Sequence, residues 1–363
     1  MKSLVVEVTD LIALLIVYQG VLFLINLFSD KSRRRDFNMI LGALILNISL
    51  NFLNILLYNQ QVTFINFGPV FGLLYGPLCW LYVRALIYKD YRFKKAELLH
   101  FLPAFLVLVL LHIIPGRMVA LADSFEFLLV VILHVGAYLT MSFLSTRKFA
   151  RVLKEVSSEV LSINLSWLRQ IILGFASIFL IVLAEGVFEN AAFWADILVW
   201  AIFIMVLVFM HLIYWKGIRQ PLIFSGPMEK EVIRNEGEQK YSQSGLDQKL
   251  AQQYLERLKQ HMEQERSYLT YHLSIEQLSS ETGINMRHIS QAINQLGGQN
   301  FYDFVNHYRL EHAKALLLDV QKNLRINEVM YDSGFSSKSS FNEVFKKSTG
   351  LSPSAYRQKH RNK

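Results

Sequence analysis

The chain has 363 residues, of which 53% are hydrophobic, a formal net charge of +8 and a single cysteine, Cys79. One cysteine excludes an intramolecular disulfide and a cysteine-based metal site. The length allows two or three domains. Because nearly all the excess of apolar residues lies before about residue 216, we expect a hydrophobic N-terminal part and a polar C-terminal part. The positive charge suits both a membrane protein with basic inner loops and a nucleic-acid binder, and does not choose between them.

Seven apolar stretches in the N-terminal part are each long enough to cross a bilayer, which takes roughly 20 helical residues. The first is too long for a secretory signal peptide and lacks a clear small-residue cleavage site. The sequence therefore predicts a seven-helix transmembrane domain over residues 1–215, and the alternative is a soluble all-α protein with very apolar helices. The stretches cover about residues 4–28, 38–58, 67–88, 97–115, 125–146, 167–188 and 193–214.

Basic residues are concentrated in alternate loops between these stretches. Because positively charged loops stay in the cytoplasm, we expect the N-terminus outside and the C-terminus inside a bacterial cytoplasmic membrane. The opposite loops hold only Lys2 and Arg117. The fourteen residues of the basic loops are Lys31, Arg33, Arg34, Arg35, Lys89, Arg92, Lys94, Lys95, Arg147, Lys148, Arg151, Lys154, Lys216 and Arg219.

Several polar side chains fall inside the apolar stretches, toward the predicted outer side. Asn51 and Asn54 share one face of the second stretch, while Glu185 and Asp196 belong to the last two. Polar groups in a membrane are costly and often functional, so these four residues are candidates for a pocket that binds a signal molecule. The alternative is that they form hydrogen bonds between helices or lie in water at the rim.

Residues 216–262 read as a linker and a connecting helix. The first part, to about residue 244, is rich in proline, glycine and mixed charge, which is typical of a flexible connector. From Leu246 an apolar stripe predicts a helix. That helix can pack on the following domain, or it can form a short dimerising coiled coil.

Residues 263–363 carry two helix-turn-helix patterns joined by a long helix over about residues 301–319. In the first unit Gly283 allows the turn and Asn285 caps the next helix; in the second, Gly334 makes the turn and Ser336 is predicted to cap the next helix. The linking helix is roughly 28 Å long at ~1.5 Å per residue. It can therefore hold two recognition helices about one DNA turn, ~34 Å, apart.

This part of the chain, about residues 265–360, resembles the AraC-type (AraC/XylS) transcription regulators. Ser279 and Met330 depart from that family's pattern, which usually has alanine at both positions. The residues that carry the resemblance are Arg309-Leu310, Ala313, Leu316-Leu317, Gly334-Phe335, Phe341, Phe345-Lys346-Lys347, Gly350, Ser352-Pro353 and Tyr356-Arg357.

The resemblance implies that both recognition helices enter successive major grooves on one face of the DNA. Arginine or lysine suits guanine, glutamine or asparagine suits adenine, and serine is permissive. Basic residues elsewhere on the domain would contact phosphate and give affinity without sequence information. The base contacts implied by position are Arg287, Ser290 and Gln291 in the first unit and Lys338, Ser339 and Asn342 in the second, with phosphate contacts from Lys346, Lys347 and Arg357.

Taken together, the sequence predicts an all-α, membrane-anchored transcription regulator that couples a signal at the membrane domain to DNA binding in the cytoplasm. The alternative is a receptor or transporter whose tail mainly binds protein. No catalytic set, cofactor motif or metal-ligand spacing is evident in the sequence, so we do not expect an enzyme. The expected partners are double-stranded DNA and the lipid bilayer, with RNA polymerase, an unknown signal ligand and a second copy of the chain as candidates.

Overall fold

The fold is that of a computed structural model, which describes residues 8–29, 35–63, 65–87, 91–114, 116, 120–121, 124–158, 165–188, 191–219 and 246–361. The chain forms two compact units. The N-terminal unit comprises residues 1–146 and 166–224, and the C-terminal unit comprises residues 147–165 and 225–363. The predicted domain limits at residues 215 and 262 differ from this division, because residues 147–165 and the connecting helix both belong to the C-terminal unit.

Seven helices of the N-terminal part are long and apolar enough to cross a membrane, as the hydropathy of the sequence predicts. The fourth span runs over Lys95–Ile113 and begins with a 3-10 helix, Lys95–Phe101. The fifth is the longest and continues past residue 146, so that its last residues are counted with the C-terminal unit. The bounds are α1 Val8–Ser29, α2 Arg35–Asn59, α3 Gly68–Ile87, α4 Leu102–Ile113, α5 Phe125–Val156, α6 Leu165–Val187 and α7 Ala192–Arg219.

Polar contacts hold α2 to the segment that contains α3. Asn47 Nδ2 donates to the Phe71 carbonyl and Asn51 Nδ2 to the Tyr75 hydroxyl, both at 3.2 Å. Asn54 Oδ1 accepts from the backbone N–H of Phe67 at 3.1 Å. These asparagines therefore form hydrogen bonds between α2 and the segment that contains α3, which is the alternative to a signal pocket considered for Asn51 and Asn54.

The C-terminal unit contains seven further α-helices and a 3-10 helix, Ser267–Leu269, in the described residues. Residues 220–245, which make up most of the predicted linker, lie outside the described residues. The connecting helix buries Ala251, Leu255, Leu258 and Met262. It packs on the third helix of the unit. Its apolar stripe therefore packs on the following domain, which is one of the two possibilities that the sequence leaves open. The bounds are α8 Gln248–Gln264, α9 Ile275–Thr282, α10 Met286–Gly297, α11 Phe301–Leu318, α12 Ile326–Asp332, α13 Lys338–Thr349 and α14 Pro353–Arg361.

The second half of this unit has its own core. The buried face of α11 meets the buried faces of α12 and α13 there, and partly buried Tyr356 of α14 closes the cluster. Phe335, Phe341 and Phe345 meet in succession at tilted and edge-to-face angles, with ring centroids 5.2 Å and 5.7 Å apart. They share one core with the buried residues of the linking helix, and this core fixes α13, the predicted second recognition helix, to α11.

Candidate nucleic-acid interface

The first helix-turn-helix unit is formed by α9 and α10. Ser274 caps α9 by accepting from the N–H of Gln277, and Asn285 caps α10 by accepting from the N–H of Arg287 at 2.9 Å. Between the helices Gly283 has a φ of +68°, a conformation that glycine adopts without steric cost. The predicted turn and cap of this unit are thus present, and α10 is its recognition helix.

The second unit, α12 and α13, follows the same plan with one difference from prediction. Ser337, not Ser336, is the N-cap of α13, because its hydroxyl accepts from the N–H of Ser340 at 3.3 Å. Two serines in succession offer the same capping chemistry, and the chain places the second at the helix start. Gly334 makes the turn, with a φ of +86°.

The predicted base-contacting residues have different accessibility in the two units. In α13 the side chains of Lys338, Ser339 and Asn342 are exposed. In α10, Arg287 is half-buried, while Ser290 and Gln291 are only 6% and 4% exposed. The second unit thus presents all three predicted readers to solvent, whereas the first unit leaves only Arg287 partly accessible.

Comparison with known proteins identifies the domain that these units form. Residues 278–359 match the family model of a helix-turn-helix domain. The uncharacterized HTH-type transcriptional regulator YijO of Escherichia coli (strain K12) is 34% identical over 88 residues, which are 24% of this chain and 30% of that protein. Residues 278–359 form an AraC-type helix-turn-helix domain.

Two further proteins match over a similar share of this chain. An uncharacterized HTH-type transcriptional regulator of Staphylococcus aureus (strain COL) is 35% identical over 85 residues, 23% of this chain and 11% of its own. A solved structure of a protein of unknown function from Listeria innocua is 28% identical over 30% of this chain and 95% of its own, with a TM-score of 0.25. The chain thus spans less than a third of the length of these curated relatives.

The predicted phosphate contacts of the AraC-type domain are arranged in two ways. Lys346 and Lys347 are exposed on the last turn of α13; the Lys347 amine lies 3.6 Å from a carboxylate oxygen of Asp303. Arg357 instead donates from one guanidinium nitrogen to the Leu324 carbonyl at 2.7 Å and so ties α14 to the loop before α12. The sequence from Lys338 to Lys363 contains seven basic residues and one acidic residue, which gives this end of the domain a strong positive charge.

Arg309 is a structural residue that sequence reasoning noted only as part of the family resemblance. Its side chain is fully buried, and its Nε and one terminal nitrogen donate to the carbonyls of Tyr268 and Thr270 at 2.7 Å and 2.8 Å. The guanidinium carbon also lies 5.7 Å from the centre of the Phe335 ring. A signal was available, since Arg309 falls at helical spacing between the buried Val305 and Ala313.

The four residues predicted for a signal pocket divide in the N-terminal unit. Asn51, Glu185 and Asp196 line one cavity of about 920 Å³, whose other walls are largely aromatic and aliphatic. Asn54 does not line it; its amide bonds to the Asn66 side chain and to the Phe67 N–H. Among the residues that the structure describes, no three His, Cys, Asp or Glu side chains are grouped to hold a metal ion.

Proposed function

We propose that the chain is a membrane-anchored, sequence-specific DNA-binding transcription regulator. The observation that carries this proposal is the AraC-type domain, with an exposed row of Lys338, Ser339 and Asn342 on one recognition helix, on the same chain as seven helices of membrane-spanning length. Lysine and asparagine on an exposed recognition helix have the donors and acceptors that read base edges in the major groove. Exposed lysines on the last turn of the same helix supply the attraction to phosphate.

Sequence preference tests this proposal directly. The full chain in lipid nanodiscs, presented with a pool of random duplexes at ~0.15 M salt, is expected to enrich one site, because base contacts add discrimination to phosphate binding. The alternative, a receptor or transporter with a protein-binding tail, predicts no enrichment over the starting pool. That outcome would reject the regulator.

Single substitutions in α13 are expected to separate base reading from phosphate binding. Lys338→Ala and Asn342→Ala should each lose about 1–3 kcal/mol of discrimination at one position of the site, whereas Lys346→Ala should weaken binding to all duplexes about equally and lower the salt slope by about one. Fluorescence anisotropy on matched and mismatched duplexes over a salt series measures both quantities. If all three variants change binding in the same way, the assignment of the reading residues is wrong.

We propose the orientation that the basic loops favour, with the C-terminus in the cytoplasm, where DNA is. A reporter that is active only in the cytoplasm, fused after Lys363, is expected to be active. The same reporter fused after Gly116, in the predicted outer loop between α4 and α5, is the control and is expected to be inactive. Activity in the opposite pattern would contradict the orientation and place the AraC-type domain away from DNA.

We also propose that the cavity of the N-terminal unit receives the signal. Its volume of about 920 Å³ falls in the range of small-molecule sites. Glu185 and Asp196 are the acidic residues of a lining that otherwise contains aromatic and aliphatic side chains with a few neutral polar groups. The amide of Asn51 donates to the hydroxyl of Tyr75, so a ligand at this edge would meet a preformed polar pair. This arrangement suits an apolar molecule with one polar or basic group.

A further inference from the structure

The two recognition helices differ in accessibility although they begin in the same way. Counted from the N-caps Asn285 and Ser337, the positions equivalent to Ser290 and Gln291 of α10 are Asn342 and Glu343 of α13. Both residues of α13 are exposed, whereas Ser290 and Gln291 are 6% and 4% exposed. A side chain buried to this extent cannot reach a base edge, so Ser290 and Gln291 cannot read DNA in the state that the structure shows.

A segment outside the AraC-type domain lies against the first unit. It is the end of α5 with the two serines that follow, residues 153–158, and it belongs to the same compact unit as α10. A carboxylate oxygen of Glu155 accepts from the side-chain amide of Asn294 at 2.8 Å, and the same amide lies 3.2 Å from the Ser290 hydroxyl. Asn294 is one turn beyond Ser290 on α10, so Glu155 is held beside the reading face.

Backbone and packing contacts fix this segment in place. The N–H of Ser158 donates to the Leu273 carbonyl, and the Ser158 carbonyl accepts from the side-chain amide of Asn306, both at 3.1 Å. Ser157 forms an antiparallel bridge with Ser274, the N-cap residue of α9. The Lys154 amine lies 5.6 Å from the centre of the Tyr302 ring. Together with the Glu155–Asn294 bond, these contacts join the segment to the N-cap of α9, to α10 and to the linking helix α11.

From this seating we infer that residues 153–158 act as an intramolecular clamp that keeps the first helix-turn-helix unit from DNA until a signal releases it. The inference rests on the proposed function and adds its regulation. The carboxylate of Glu155 stands beside the face that would meet phosphate and bases, so it opposes DNA by charge as well as by occupancy. With the clamp seated only the second unit reads DNA, and with the clamp released both units read it.

The clamp is also placed to respond to the membrane domain. α5 is one uninterrupted helix from Phe125 to Val156, and its residues up to 146 belong to the N-terminal unit. A ligand that alters the packing of α5 would therefore bias the position of Glu155 through a continuous helix. Such a ligand shifts the equilibrium only by its difference in affinity for the seated and released states.

Removing the Glu155 carboxylate is expected to tighten DNA binding. The substitution removes the charge-assisted hydrogen bond that holds the clamp, so Glu155→Ala in the full chain in nanodiscs should bind the selected duplex on the order of tenfold more tightly than wild type. Glu311→Ala is the matched control, because it removes the same charge from an exposed pair with Lys314 on α11. An equal gain in both variants would mean that charge alone is responsible, and would overturn the clamp.

Fixing the clamp is expected to have the opposite effect. In a Cys79→Ser background, which leaves the chain without cysteine, Glu155→Cys and Asn294→Cys can be joined by a short thiol-reactive bifunctional cross-linker. The joined protein should bind the selected duplex at least tenfold more weakly than the same double variant left untreated. The two single-cysteine variants, treated with the same reagent, control for modification of either side chain.

The outcomes separate the clamp from the regulator. If Glu155→Ala binds as wild type does, or the joined protein keeps its affinity, the clamp is rejected while sequence-specific binding stands. If no variant prefers any duplex over random DNA, the proposed function itself fails, and the clamp fails with it. A gain specific to Glu155→Ala together with a loss on cross-linking supports both.

Discussion

Replacing Arg309 with alanine is expected to destabilise the C-terminal unit by about 3–5 kcal/mol. The substitution leaves the buried carbonyls of Tyr268 and Thr270 without the donors that they have in the structure, and each unsatisfied buried group costs about 1–3 kcal/mol. It also empties the space of a fully buried side chain beside Phe335, which adds a cavity cost.

Hydrogen exchange in the full chain, followed by mass spectrometry on peptides from α11, measures this effect. A loss of about 3 kcal/mol should speed the slowest amides on the order of a hundredfold, if their exchange requires opening of the unit. Arg309→Met keeps most of the volume and should recover only the cavity part. Lys314→Ala, which removes a surface ion pair on the same helix, should cost less than about 1 kcal/mol. Equal exchange in Arg309→Met and wild type would show that the two carbonyl hydrogen bonds contribute little.

Gly334→Ala is the second change for which we expect a large effect, of about 3 kcal/mol or more. Its φ of +86° is unfavourable for alanine, at roughly 1–2 kcal/mol. A methyl group would also stand 2.6 Å from the Tyr268 carbonyl oxygen and 2.9 Å from the Leu269 Cα, both backbone atoms. Relief of that contact requires the segment at Tyr268 and Leu269 to move. Because Arg309 holds this segment by hydrogen bonds, the turn cannot easily accept a side chain at position 334.

Two other glycines of the domain serve as controls for the turn. Gly283 and Gly350 have φ values of +68° and +72°, and a methyl group at either would meet nothing within 4 Å. Alanine there should cost only the conformational term, about 1–2 kcal/mol. The difference between Gly334→Ala and these variants in the same exchange experiment isolates the close approach. If all three variants lose the same stability, the crowding at Gly334 is of no consequence.

The sequence predicts the elements of this fold well because their signals are local. Seven apolar stretches become seven helices of spanning length, and the glycines at positions 283 and 334 mark both turns. The cap of α13 is off by one residue, since Ser336 and Ser337 can both accept from a helix N-terminus and only the geometry of the turn chooses. From sequence alone the apolar stripe on α8 could pack on the following domain or on a second copy of the chain, and the structure shows it buried within the chain.

The long-range contacts could not be read in the same way. Glu155 and Asn294 are 139 residues apart, and nothing in the pattern around either residue marks them as partners. The sequence assigns Ser290 and Gln291 to an open reading face, whereas the structure buries both side chains. Arg309 has the spacing of a core residue but the chemistry of a surface residue, and only the carbonyls that meet it explain its burial.

The length of α5 has a mechanical consequence. Its 32 residues make a rod of about 48 Å, well beyond the ~30 Å of the bilayer's hydrocarbon core. Residues 137–156 contain neither glycine nor proline, where helices most often bend, so the rod is stiff over its C-terminal part. A tilt of about 5° pivoted at one end carries the other end through about 4 Å, farther than the 2.8 Å that separates Glu155 from Asn294. A small tilt of α5, which needs no repacking of the other helices, would thus move its C-terminal end far enough to break the hydrogen bond between Glu155 and Asn294.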